Sequence, residues 1–312
     1  MKAIVINQYG SADELVEQEV PLPEIKDDQV LIELKATSIN PIDWKMREGY
    51  LKEKLPYEFP IILGWDAAGI VKKVGKDVTN FQLGEKVFAR PKTNPTGTYA
   101  EYVAVDQDLI CKMPENSSFN DAAAIPLTGQ TAWAALVEIG QIKEGDHVLI
   151  HGGSGGVGHL AIQIAKHFGA YIAATASEKN EDFVKSLGAD EFINYKEQDF
   201  ETLLNDYDIV LDTQGGETQE KSFSVLKHGG TLVSIATPPD EEKAAEKGIK
   251  TGYFFLEPDG ERLQKLADLM KSNKLKATIG KTLPFTQEGL REAHRTSEEH
   301  GVPGKIVVQM NE

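Results

Sequence analysis

The stretch His151–Gly158 reads HGGSGGVG, five glycines in eight positions, directly after the apolar run HVLI at 147–150. Gly153, Gly155 and Gly158 fit the spacing G-x-G-x-x-G. Beyond it Val157, Leu160, Ala161, Ile164, Ala165 and Phe168 recur at helical spacing until Gly169, so the loop joins a strand to a helix. That is the context a phosphate-cradling turn requires. Backbone N–H groups must approach a pyrophosphate, and a helix N-terminus adds donors and partial positive charge. A side chain at Gly155 would hold phosphates away, and one at Gly158 would push the helix off the sheet. A turn without a ligand needs at most one or two glycines. Gly152, Gly153, Ser154, Gly155, Gly156, Val157 and Gly158 therefore form the candidate dinucleotide cradle.

The second strand of such a unit tells the two nicotinamide cofactors apart. An Asp or Glu ~20 residues past the glycines holds the ribose 2′-hydroxyl of NAD. Here the strand YIAAT runs into ASEKN at 176–180. Ser177 can donate to a 2′-phosphate and Lys179 can neutralise it, which makes NADPH the expected cofactor. Two competing readings stand beside this one. A one-residue slip would bring Glu178 to the ribose, and Lys179 is otherwise an exposed lysine at a helix start.

These residues need a scaffold, and the chain supplies two patterns. Residues 1–123 carry short β-like runs broken by Pro and Gly (KAIVIN, QVLIELKATSI, AAGIVKKVG, EKVFAR, TYAEYVAV), which predicts a Gly-punctuated, barrel-like β module. Residues 120–140 take on helical spacing. From HVLI onward strands and helices alternate, the pattern of a doubly wound parallel sheet in an α/β fold. TGYFFL at 251–256 reads as a further strand, and KIVVQM as the last.

Bulk properties exclude several functions. Acidic residues outnumber basic ones 49 to 33, for a net charge of −16, which repels nucleic-acid phosphate and anionic membrane. Cys111 is the only cysteine, so no intrachain disulfide forms and a reducing, cytoplasmic setting is expected, with Cys111 a buried small residue. The N-terminus lacks the apolar core of a signal peptide.

Several separated segments resemble one family. HGGSGGVGHLAIQIAKHFGAYIAATAS, LGADEFINY, GWDAAGIVKKVG and ATSINPIDWKMREG are similar to the quinone oxidoreductase and alkenal/enone reductase branch of the medium-chain dehydrogenase/reductases. The resemblance covers essentially the whole chain. It implies that the barrel-like module is partly open, a GroES-like catalytic domain (1–123 plus 257–312) into which a Rossmann cofactor domain (124–256) is inserted, and a homodimer through the cofactor-domain edge. It further implies that Asn40 and Thr131 contact the cofactor and that Tyr195 lines the pocket shared with Ser177. The zinc alcohol dehydrogenases of the family hold metal with a Cys in the segment matching ATSINPID and a Gly-His-Glu matching 64–66. This chain has no Cys in that segment and reads Gly64-Trp65-Asp66. It also lacks the four cysteines of the structural zinc lobe, so no metal is expected.

The expected activity is then hydride transfer from NADPH to a quinone or to the β-carbon of an α,β-unsaturated carbonyl, without zinc. Asn40, Asp43 and Lys45 are candidates for positioning roles, with Tyr50, Trp65 and Tyr99 as substrate-pocket candidates. Plainer readings remain beside each. Asn40 can serve the turn before Pro41, Asp43 and Lys45 can form a structural salt bridge, and the tyrosines can be packing. Thr131, like Thr128, can be a helix N-cap, and His151 and His159 can be packing neighbours of the loop. No side chain stands out as an obligatory proton donor. A non-catalytic NADPH-binding scaffold and a carrier-linked enoyl reductase are the rival functions.

Overall fold

The computed structural model describes residues 1–310. The chain separates into two compact units, Met1–Gln130 with Glu257–Glu312 and Thr131–Leu256. The division thus falls at Gln130/Thr131 inside a helix, later than the expected 123/124. Residues 311 and 312 of the expected barrel domain lie outside the described residues.

The first unit begins with strands β1 (Lys2–Ile6), β2 (Val16–Glu19), β3 (Gln29–Ser38), β4 (Ile61–Ile62), β5 (Ala67–Val74), β6 (Lys86–Ala89), β7 (Tyr102–Asp106) and β8 (Ile110–Lys112). The second contributes β9 (His147–Ile150), β10 (Tyr171–Ala176), β11 (Glu191–Asn194), β12 (Tyr207–Asp212), β13 (Leu226–Ser234) and β14 (Lys250–Tyr253). The chain then returns to the first unit with β15 (Ile279–Pro284) and β16 (Lys305–Gln309).

In the first unit β16 pairs antiparallel with β3, so the C-terminal strand completes a sheet begun near the N-terminus. That sheet runs β15-β16-β3-β5-β6-β8, with β7 also on β3, and a separate sheet runs β2-β1-β4. The alternating apolar residues of β3 and β5 feed one core that includes Val30, Ile32, Leu34, Trp65 and Tyr99. This is the mostly antiparallel β module that the Gly- and Pro-broken runs predict, and it is unclosed, as the resemblance implies.

The second unit is a six-stranded sheet ordered β11-β10-β9-β12-β13-β14. Its neighbouring strands all pair parallel. The order reverses at β9, which lies between β10 and β12. In such sheets ligands bind beyond the carboxyl ends of the strands at the reversal, and the glycine loop leaves β9 at that end.

Two predicted elements differ in the structure. The helix expected over 120–140 is three pieces, Phe119–Ala123, Pro126–Trp133 and a π-helical segment Ala134–Ile139. Proline has no N–H to continue the first piece, and the Gly140 N–H reaches back to the Ala135 carbonyl at the other end. The strand expected over 251–256 ends at Tyr253.

Candidate functional site

In the second unit the glycine loop is fastened to the end of β10. Gly152 adopts φ +67°, a left-handed conformation that side chains disfavour. Its N–H donates to Thr175 Oγ1 at 3.3 Å, and the Gly153 N–H donates to the Thr175 carbonyl at 2.9 Å. A Cβ on Gly158 would lie 2.2 Å from the Gly152 carbonyl oxygen, and one on Gly153 would lie 3.0 Å from the Ala174 Cβ. Packing demands Gly158, and Gly153 is tight against Ala174. A Cβ on Gly155 would meet a single atom beyond its chain neighbours, the Gly152 carbonyl oxygen, in a tight contact at 3.3 Å. Gly155 is thus the least crowded of the three, beside a helix N-terminus, and the loop fits a pyrophosphate.

Both loop histidines brace the turn. The His151 ring is buried, with Nε2 3.0 Å from Ser222 Oγ and Nδ1 3.2 Å from Thr175 Oγ1. Ser222 donates its hydrogen to the Thr218 carbonyl, so Nε2 carries the proton and Nδ1 accepts from Thr175. Burial lowers the His151 pKa to about 4 and keeps the ring neutral. His159 Nδ1 lies 2.9 Å from the Gly155 carbonyl.

At the rim of the same loop the Asn180 amide donates to Ser154 Oγ at 3.0 Å and to Ser177 Oγ at 3.2 Å. Ser154 and Ser177 are thereby drawn together across 23 residues of sequence. Lys179 and Tyr195 are exposed, as is Glu178. Gly156 and Val157 are half-buried. Thr131 is buried within the helix Pro126–Trp133 and Thr128 donates to the Ala124 carbonyl, so neither threonine is an N-cap.

The first unit holds a buried polar cluster that sequence patterns do not reveal. Asp66, fully buried just before β5, accepts from Ser38 Oγ at 2.6 Å, Asn40 Nδ2 at 2.7 Å and the Leu127 N–H at 2.8 Å. The Lys305 ammonium lies 3.7 Å from Asp66 and donates to the Ile39 carbonyl and to Asn40 Oδ1. Burial holds the Lys305 pKa below the usual lysine range, with Asp66 and Asp43 opposing it. The available signal was a lone lysine at the head of the apolar run KIVVQM.

A second chain of bonds starts from Asp43 in the helix Pro41–Arg47. Asp43 Oδ2 accepts from the Asn40 N–H at 2.8 Å and from the Tyr99 hydroxyl at 2.9 Å. Tyr99 also lies 3.0 Å from His294 Nε2, and His294 Nδ1 lies 3.1 Å from Arg47 Nη1. A guanidinium only donates, so Nδ1 accepts, the proton sits on Nε2, and the Tyr99 hydrogen points to Asp43. Burial raises the Asp43 pKa to about 7, helped by nearby Asp66 and opposed by the bonds from Asn40 and Tyr99. Asp43 Oδ1 is buried without a partner. Burial and the Arg47 charge lower His294 to about 3.

Several sequence readings change here. Asp43 and Lys45 form no salt bridge. They are two residues apart on a helix and face different sides, and the Lys45 ammonium lies 5.6 Å from the centre of the Trp44 ring instead. Trp65 and Tyr99 have no exposed surface, and their polar atoms are committed to the Asn94 carbonyl and to Asp43. Neither presents a face to a substrate. Tyr50 is 71% exposed and packs edge-on to Trp44. An open groove of about 990 Å³ on this unit, bordered by Ile110, Cys111 and Gln264, shares no residue with the polar cluster. Cys111 is buried and its thiol is pushed up to about 12 by burial, as an inert packing residue would be.

The donor set does not fit zinc. Trp65 offers no lone pair, and both Asp66 oxygens already accept hydrogen bonds. Among the described residues no three His, Cys, Asp or Glu side chains gather as a metal site.

Residues 26–115 match the alcohol dehydrogenase GroES-like domain family, and 187–308 match the zinc-binding dehydrogenase family. The chain is 38% identical to a 2-methylene-furan-3-one reductase of Solanum lycopersicum, over 99% of this chain and 79% of the relative. It is 37% identical to a chloroplastic NADPH-dependent alkenal/one oxidoreductase of Arabidopsis thaliana, with the same shares covered. The solved quinone oxidoreductase of Coxiella burnetii superposes with TM-score 0.93 at 38% identity, covering 100% of this chain and 99% of that one.

Two predictions follow from this geometry. Gly155→Val should cost the fold less than Gly158→Val, about 1 kcal/mol, because a Cβ there meets only the Gly152 carbonyl oxygen, at 3.3 Å. The same change should weaken NADPH binding at least ~100-fold in calorimetry by filling the phosphate's place. Unaltered affinity would make the loop a structural turn only. For Asp43 the native pKa of about 7 lies above the ordinary 3.8. Its contribution to stability is therefore complete below pH ~4 and is lost as pH rises through about 7. Urea unfolding across this range should show Asp43→Asn gaining on the wild type by as much as ~4 kcal/mol between pH 4 and 8. A pH-independent difference would refute the assignment.

Proposed function

From the premise that the chain belongs to the quinone and alkenal/one oxidoreductase branch of the medium-chain dehydrogenase/reductase family, we propose that it is an NADPH-dependent reductase of electron-poor double bonds. Its acceptors are quinones or α,β-unsaturated carbonyl compounds. The observation that carries the cofactor half of this reading is the glycine loop that joins β9 to a helix N-terminus at the reversal point of the sheet. The N–H groups of the Gly152–Gly158 loop hold the pyrophosphate, Ser177, Lys179 and Tyr195 surround the 2′-phosphate, and Thr131 is a further cofactor contact by resemblance.

A bound NADPH supplies hydride. In an α,β-unsaturated carbonyl acceptor the β-carbon takes the hydride, the carbonyl oxygen becomes an enolate, and a proton from water completes the α-carbon, so the C=C bond is reduced and the carbonyl survives. A quinone takes the hydride and a proton and leaves as a hydroquinone. Metal independence is supported by the commitment of Asp66 to Ser38, Asn40 and the Leu127 N–H. The Asn40 amide, gripped by Asp66 and Lys305, is a positioning group in this reading.

Two further features belong to the proposal. Among the described residues the edge strand β14 pairs only with β13, and it carries the half-exposed Tyr253, which supports a homodimer built by extending that sheet. The single buried cysteine supports a cytoplasmic setting. Among the described residues no helix is long and apolar enough to cross a membrane.

Deuterated NADPH and an enone substrate should place the label on the carbon β to the carbonyl. Label on a carbinol carbon would make the protein a carbonyl reductase instead. Prolonged chelator treatment should leave NADPH turnover and the melting temperature unchanged, and activity restored only by added zinc would overturn metal independence.

A further inference from the structure

The contact between Asn180 and two serines has a directional consequence. A primary amide nitrogen carries two hydrogens and accepts none, and here it serves Ser154 Oγ at 3.0 Å and Ser177 Oγ at 3.2 Å. Each hydroxyl therefore uses an acceptor lone pair on Asn180 and keeps its own hydrogen. Among the described residues neither hydroxyl hydrogen goes to a backbone carbonyl. Ser177 stands at the N-cap of the short 3-10 turn Glu178–Asn180, yet its side chain makes no cap bond. Ser154 sits in the glycine loop and Ser177 just past the end of β10, both half-buried, while Asn180 beneath them is 8% exposed. The result is a pair of half-buried hydroxyls, tied through a lone pair to one buried amide and with their hydrogens left to donate, at the place where NADP and NAD are told apart.

We propose that Asn180 is the residue that sets cofactor specificity in this chain, by holding Ser154 and Ser177 as hydrogen-bond donors to the 2′-phosphate. The proposal rests on the NADPH reading above and deepens it. A phosphate oxygen only accepts, so its affinity depends on which way each hydroxyl points. A freely rotating hydroxyl must lose that freedom on binding, whereas one already tied through its lone pair has less to lose. Asn180 touches no phosphate itself; it is a positioning residue acting through the serines. The polarity matters as much as the contact. A residue that accepted from both serines would turn their hydrogens inward and present lone pairs to the anion.

The test is calorimetric affinity for NADPH and NADH in the wild type, Asn180→Ala, Ser154→Ala/Ser177→Ala and the triple variant. Asn180→Ala should weaken NADPH ~10-fold and leave NADH within ~2-fold. A structural role at the start of the following helix would weaken both equally and would overturn the inference. In the Ser154→Ala/Ser177→Ala background, Asn180→Ala should change NADPH affinity no further, because its effect passes through those hydroxyls. A full additional loss there would likewise overturn it, and melting temperatures identify any variant that has merely lost its fold. A wild type that binds NADH as tightly as NADPH would overturn the cofactor reading itself. A wild type that prefers NADPH, with Asn180→Ala losing nothing, would overturn the role of Asn180 alone.

Discussion

Asp66 is a carboxylate with no exposed surface, and the first unit is organised around compensating it. Burying such a group costs several kcal/mol unless opposite charge and hydrogen bonds replace water. Here the replacements come from three separate pieces of chain: Ser38 and Asn40 between the end of β3 and the helix Pro41–Arg47, the Leu127 N–H at a helix start, and Lys305 at the start of β16. The Leu127 contact uses one of the backbone donors that every helix N-terminus leaves unsatisfied. Removing a single partner would leave the others facing an uncompensated buried group, which typically costs ~3–5 kcal/mol. The same constraint explains why the C-terminal strand must return to the N-terminal sheet: Lys305 can reach Asp66 only if β16 lies beside β3.

Legibility in the sequence followed the range of the interactions. The glycine loop is local, so its spacing, its strand and its helix could all be read from one window, and the structure assigns its glycines distinct duties. Gly158 is required by packing and Gly153 is tight against Ala174, while Gly155 is the least crowded of the three. The parallel sheet was equally readable, because each strand buries a short apolar run between helical stretches. The helix over 120–140 was over-read, since apolar periodicity does not register the missing N–H of Pro126. In the first unit periodicity located the strands, but the groups that matter there are polar residues brought together over separations of 26 to 266 positions. Asn40 stands out by its place before Pro41 and Asp66 by its place in the Gly64-Trp65-Asp66 segment, but nothing in a linear pattern says that they meet each other or Lys305. Asn180 is silent for a related reason: the sequence marks Ser177 and Lys179, the residues that would touch a phosphate, and not the buried amide beside them.

Hydrogen-bond direction separates groups that can take part in chemistry from those that cannot. Along Arg47, His294, Tyr99 and Asp43 every donor is fixed by the guanidinium at one end. Burial pushes the Tyr99 hydroxyl far above its ordinary range and His294 down to about 3, so neither exchanges a proton near neutrality. Tyr99 therefore acts as a strut between the helix Pro41–Arg47 and the helix Gln287–Glu299 that carries His294. The Ser154–Asn180–Ser177 triplet has the opposite design. Its hydroxyls are also tied to a donor, the Asn180 amide, but among the described residues their hydrogens go to no backbone carbonyl. Both networks orient hydroxyls with a donor that cannot accept. In the first the hydroxyl's own hydrogen is absorbed by Asp43. In the second it has no acceptor among the described residues, and a ligand that brings acceptors without donors, as a phosphate does, is the partner that completes it.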